Sequence, residues 1–180
     1  FAPFFLTFGQ DNTWQGTRST ENGITIIENP RTPLFSPAIL ELQEEYIINS
    51  SGKGYLFDNP CQLVLAGNKH LYVSDIRECN IKVFDERGRY IGTIGRKGVG
   101  PGELDGLSDI DIHDNLIIAY SSGIRRFSYF DLKGKLIKTK SALENLGGMQ
   151  LDSRGNIFGL TTIADGSGQV SYRLIKYNNE

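Results

Sequence analysis

The stretch "HLYVSDIRECNIKVFDERGRYIGTIG", His70 to Gly95, decides the fold because the chain repeats its plan further on. "NLIIAYSSGIRRFSYFDLKGKLIKT", Asn115 to Thr139, holds the same parts in order: a β-rich run, a turn, an alternating strand, a tight turn with Asp and Gly, and a last strand. Asp85 and Asp131 are 46 residues apart, and so are the turn glycines Gly88 and Gly134. A looser third copy reads "MQLDSRGNIFGL", Met149 to Leu160, then "YRLIKYNNE", Tyr172 to Glu180. Alternation sets Ile81, Val83 and Asp85 against Lys82 and Phe84, the pattern of a half-buried strand that turns back through a hairpin at "DERGR". A short apolar run before each unit, closed by turns such as "AGNKH" and "DSRGN", brings the count to four strands. A repeat of this length with four strands predicts a β-propeller blade, because one such sheet covers both its faces only when neighbours stack on it.

The expected fold is therefore all-β, a propeller of four-stranded antiparallel blades. About three blades fit in residues 61–180, the third incomplete. Three blades do not close a ring, since propellers typically have four to eight, so the chain reads as a fragment whose two end sheets present apolar faces. The only candidate for a short helix inside the blades is "SALENLGG", Ser141 to Gly148, with Ser141 and Glu144 in capping-box spacing.

Composition narrows the function classes. The 180 residues carry 19 basic and 21 acidic side chains, a net charge of -2, which gives no long-range positive field for nucleic acid or an anionic membrane. The opening "FAPFFLTFG", residues 1–9, is too short to span a bilayer. Its small residues Thr7 and Gly9 before the polar "QDN" predict a signal-peptide remnant cleaved after Gly9, hence an exported protein. No transmembrane segment is expected in this chain. Residues 10–60 read as lead-in strands, one at "NGITIIENP", Asn22 to Pro30, and a second at "ILELQEEYIIN", Ile39 to Asn49, for which its Glu and Leu content makes a short helix the competitor. Cys61 and Cys79 lack partners for a zinc site; they fall at the same end of an antiparallel pair, so either one disulfide or two free thiols fits.

The residues carry a resemblance to a known family. Tyr72, Val73 and Asp75, then Ile81, Val83, Phe84, Asp85 and Gly88, then Gly95, Gly98, Gly100, Pro101, Gly102 and Glu103 resemble the NHL repeat, with its "YV.D" strand, "I.vfd..G" hairpin and "GPGE" ending. Trp14 and Gly16 with "ENGITIIENPRTPLF" look like the lead-in of bacterial six-bladed propeller proteins, many of them exported. The resemblance implies a six-bladed ring of which this chain is the amino-terminal half, and implies no reaction.

Candidate site residues are few. "GTIGRKGVGPGEL", Gly92 to Leu104, lacks a Gly-Lys-Ser/Thr triplet and precedes a strand, so it reads as a blade-to-blade joint and not a phosphate loop. Arg96 and Lys97, carried on that joint, are candidate binding residues. His70 and His113, the only histidines, fall near the first turn of successive blades and are candidates to face one another. The family includes zinc lyases and related calcium-dependent hydrolases, so Zn or Ca remains an alternative, and the acidic run "ELDGLSDIDIHD", Glu103 to Asp114, superficially resembles a calcium loop without EF-hand spacing. No cofactor and no metal ligand set follows from the sequence itself. The leading expectation is a binding or scaffold module whose loops contact a protein, peptide or glycan; the alternative is a metal-dependent lyase or hydrolase of the same architecture.

Overall fold

The computed structural model describes residues 16–31, 44–49, 55–164 and 166–178. It divides into two units, residues 1–44 and 45–180. In the first, β1 (Thr17–Glu21) and β2 (Ile24–Glu28) pair as an antiparallel hairpin. Asn22 and Gly23 both take positive φ, 50° and 79°, the geometry of a two-residue turn that matches strand twist. The signal-peptide reading of residues 1–9 and the Trp14 part of the lead-in lie outside the described residues. So does 39–43 of the second lead-in strand, and 44–49 form no strand.

Among its described residues the second unit consists of strands joined by turns and loops. β3 (Pro60–Leu65), β4 (Leu71–Asp75), β5 (Asn80–Phe84) and β6 (Tyr90–Ile94) form one four-stranded sheet in sequence order. β7 (Leu107–His113), β8 (Leu116–Ser121), β9 (Arg126–Asp131) and β10 (Leu136–Ser141) form the next. β11 (Gly148–Leu151), β12 (Ile157–Ala164) and β13 (Val170–Tyr177) form a three-stranded third. All neighbours are antiparallel, and β7 touches both β3 and β11, which makes β3, β7 and β11 the innermost strands. These are propeller blades. Residues 142–147 form no helix: Tyr120 Oη donates to Glu144 O and Asn145 Oδ1 while Leu146 N donates to Tyr120 Oη, so a neighbouring blade supplies the partners that a helix would otherwise supply itself.

Two cores lie between the blades. Tyr72, Ile81, Val83 and Ile94 of the first meet Leu107, Ile110, Ile117 and Phe130 of the second. Ile118, Tyr120, Phe127 and Tyr129 of the second meet Met149, Ile157 and the 142–146 segment. The other face of the first blade is covered by Tyr55 and Phe57, whose rings lie 5.0 and 5.8 Å from that of Phe84. The other face of the third leaves Tyr172 and Leu174 exposed.

One local device recurs in the tight turns. Asp85, Asp131 and Asp152 each accept, on one carboxylate oxygen at 2.9 Å, the amides two and four residues on. The fourth residue of each turn is Gly88, Gly134 or Gly155 with φ between 71° and 86°, a conformation that costs a side-chain-bearing residue strain. At Gly134 a Cβ would also stand 2.8 Å from Ile94 Cγ1 of the preceding blade. Gly134→Ala is expected to cost about 1–3 kcal/mol, measured as a lower Tm.

Candidate functional site

The glycine-rich connection from β6 to β7 is held from both sides. Leu104 N donates to Arg96 O at 2.8 Å and Gly98 N to Leu104 O at 3.1 Å, so the segment folds back on itself and drives the Leu104 side chain to complete burial. Glu103 closes the loop: one oxygen accepts Gly100 N at 2.9 Å, the other Arg96 Nε at 2.8 Å. The Gly100 amide and the Arg96 guanidinium outweigh desolvation and hold this carboxyl below its ordinary range. Arg126, from β9 of the next blade, donates to Val99 O at 2.9 Å, Gly100 O at 2.9 Å and Glu103 O at 2.6 Å. Of the two expected binding residues here, Arg96 is engaged with Glu103, and Lys97 is exposed.

The innermost strands are stapled to one another by side chains. Gln62 Oε1 of β3 accepts Ile110 N of β7 at 2.7 Å. Asp109 of β7 accepts the Met149 amide of β11, and Asp111 Oδ2 accepts Leu151 N at 2.9 Å. Beside them opens a cavity of about 430 Å³, lined by Gln62, Asp109, Met149, Gln150, Phe158 and Leu174 among others. Burial raises the Asp109 carboxyl above its ordinary value, against the pull of the Met149 amide and the Ser108 hydroxyl. A carboxyl raised on folding binds more protons in the folded state, so its contribution to stability falls as pH rises from about its unfolded value of 3.8. Asp109→Asn keeps an oxygen for Met149 N and removes the charge. It is expected to raise Tm slightly at pH 7, by the equivalent of about 1 kcal/mol or less, and to flatten the pH dependence of Tm above pH 4.

The acidic run is thus distributed over separate tasks. Glu103 closes the joint, Asp109 and Asp111 staple blades, and Asp114 lies 3.1 Å from His113 Nε2. Among the described residues no three His, Cys, Asp or Glu side chains gather in a group that could hold a metal ion. His113 ends β7, whereas His70 lines another cavity, so the expected meeting of the two histidines is not among the described contacts. Both cysteines are free, Cys61 exposed and Cys79 buried. Although they share one end of the sheet, the Cys79 thiol turns inward and donates to Ile76 O at 3.4 Å, which leaves the bridge unformed.

His70 belongs to a cavity of about 290 Å³ between the first two blades. Its floor is apolar, from Val83, Ile91, Ile94 and Leu132, and Thr93, His70 and Lys133 supply the polar side chains. β6, which contributes Ile91 to Ile94, is the outer edge of its sheet. Sequence reading singled out His70 but not Lys133, Thr93 or Leu132, because their convergence depends on how the Asp131 turn of one blade seats against the edge of another. Tyr72 Oη donating to Leu132 O at 3.1 Å fixes that seating.

Three solved structures are similar to the chain to different degrees. A Bacteroides fragilis NCTC 9343 protein thought to be exported is 19% identical, with a TM-score of 0.57 over 73% of this chain and 41% of its own. Virginiamycin B lyase from Staphylococcus aureus is 10% identical, with a TM-score of 0.45 over 63% of this chain and 40% of its own. A Bacteroides caccae protein of unknown function is 8% identical, with a TM-score of 0.44 over 67% and 46%. The chain therefore spans about two fifths of the length of the first two. No curated protein matches it. Residues 39–180 match the family described as 6-bladed beta-propeller, DUF5128, and the chain belongs to that family.

Proposed function

We propose that this chain is part of an exported six-bladed propeller, with NHL-type repeats, that works as a binding or scaffold module for a protein or peptide partner. The observation that carries the reading is the cavity of His70, Ile91, Thr93, Leu132 and Lys133, concave and apolar with a cationic side chain at hand, beside an open strand edge. An extended peptide can add backbone hydrogen bonds along such an edge while apolar and acidic side chains enter the hollow. The residue pattern supports NHL-type repeats, since Gly95 to Glu103 make the joint and Asp85 with Gly88 the turn that the repeat calls for. In the same reading residues 1–9 belong to a signal peptide, residues 10–60 are a lead-in and residues 61–180 hold about three blades. Amino-terminal sequencing of the exported protein should find Gln10 first.

The test uses the full protein against arrays of extended peptides and of glycans, followed by titration of the hits. Peptide hits with apolar and acidic side chains are expected, and Lys133→Glu or Ile91→Asp should weaken them by about tenfold or more without moving Tm. Glycan hits that survive both substitutions would move recognition elsewhere. Bond cleavage or elimination that requires added Zn or Ca would favour the lyase or hydrolase alternative.

A further inference from the structure

Blade one holds a buried ion pair that has no counterpart at the equivalent positions of blade two. Asp75, fully buried, accepts the amides of Asp58 at 2.7 Å, Asn59 at 3.1 Å and Glu78 at 3.2 Å. Lys82 Nζ stands 3.6 Å from its second oxygen and donates to Asn80 Oδ1 at 2.9 Å. Asp75 faces Asn80 across the β4–β5 pair, and Lys82 follows two residues along on the same side.

The 46-residue period maps Asp75, Asn80 and Lys82 onto Ser121, Arg126 and Ser128. Pairing agrees, because Ser121 faces Arg126 across β8 and β9, and strand alternation puts Ser128 on the same side. Ser121 and Ser128 are completely buried. Among the described residues neither hydroxyl meets a hydrogen-bond partner, and neither does the buried Arg126 Nε, although both terminal nitrogens of that guanidinium are used on the joint. Three buried polar groups without described partners on one face of a strand pair are costly, since each forfeits its hydration without recompense. Backbone pairing puts Gly106 in the place of Asn59, since Ser122 N donates to Gly106 O as Ile76 N donates to Asn59 O, and the amides of Asp105, Gly106 and Ile124, placed like those of Asp58, Asn59 and Glu78, do not reach Ser121 Oγ. Glu103, the nearby carboxylate on the joint, is engaged by Gly100 N and Arg96.

We infer that blade two holds a small monovalent anion of the halide class between the first two blades, at Ser121 Oγ, Ser128 Oγ and Arg126 Nε, where blade one uses its own Asp75 carboxylate. The chemistry of the slot favours an acceptor. Arg126 Nε only donates, both serine hydroxyls can donate, and the matching slot in blade one delivers three amides and an ammonium to one carboxylate. A water would instead accept from Arg126 Nε and donate to a serine oxygen, and the bromide crystal tells the two apart.

The experiment is thermal unfolding of the full protein in sodium chloride or bromide against sodium gluconate at equal ionic strength, with a bromide-soaked crystal. Halide should raise Tm with concentration, as binding to the folded state alone requires, and an anomalous bromide peak should lie within hydrogen-bond reach of the three atoms. Ser121→Asp puts the blade-one carboxylate back and should abolish the halide dependence while raising Tm in gluconate. Ser128→Ala, which removes one hydroxyl with little change of shape, should weaken the halide by about tenfold. A wild-type Tm indifferent to halide, a water with no anomalous signal in the slot, or an unchanged halide dependence in Ser128→Ala would overturn the inference.

Discussion

Replacing Asp75 with Ala is expected to cost about 3–5 kcal/mol, because it strands a buried lysine and three amides that one carboxylate now satisfies. For a protein of this size that lowers Tm by roughly 10 °C. The pH dependence carries the same signature. Burial opposes ionisation of Asp75, but the amides of Asp58, Glu78 and Asn59 and the Lys82 ammonium outweigh it and hold the carboxyl below its ordinary value of 3.8. A carboxyl lowered on folding stabilises the protein above the unfolded pKa, and that contribution disappears as pH falls through the folded one. The wild type should lose stability steeply below about pH 4, and Asp75→Asn should lose less there while starting lower at pH 7. A Tm at pH 7 unchanged by Asp75→Ala would show that the ion pair holds nothing together.

Leu104→Ala should be the second large effect, about 2–5 kcal/mol, since it removes a completely buried side chain from under the joint and leaves a cavity between two blades. Its contrast is Arg96→Ala. The Arg96 side chain is 81% exposed in its pair with Glu103, so the cost should stay below about 1 kcal/mol. Urea unfolding of the two variants should separate them clearly in midpoint with the same slope. Equal effects would mean that the exposed pair, and not the buried leucine, holds the joint.

Much of this architecture was legible in the residues. Recurrence of Asp85 and Gly88 as Asp131 and Gly134 was enough to set the hairpins, because one local hydrogen-bond pattern builds each turn. The joint was legible too, since glycine at 95, 98, 100 and 102 followed by a strand left little room for a helix to hold phosphate. What the sequence hid was pairing between units. Nothing in the repeat singles out Arg126, yet its guanidinium fixes the carbonyls of a loop more than twenty residues earlier. Asp109 and Asp111 lie in the run whose likeness to a calcium loop was only superficial, and each accepts a backbone amide of the next innermost strand. A repeat period locates equivalent residues and says nothing of which neighbouring blade they touch. His70 was a candidate for its chemistry and its place near the first turn of a blade, and its partners Thr93, Leu132 and Lys133 converge only once two blades are stacked.

Hydrogen exchange on the full protein without ligand tests most directly whether the Gly95–Leu104 segment is a joint between blades and not a site. The amides of Gly98, Glu103 and Leu104 each donate to a carbonyl within that segment, so they should exchange as slowly as those of β5 and β8. Fast exchange of all three, slowed only when phosphate or a nucleotide is added, would contradict the account.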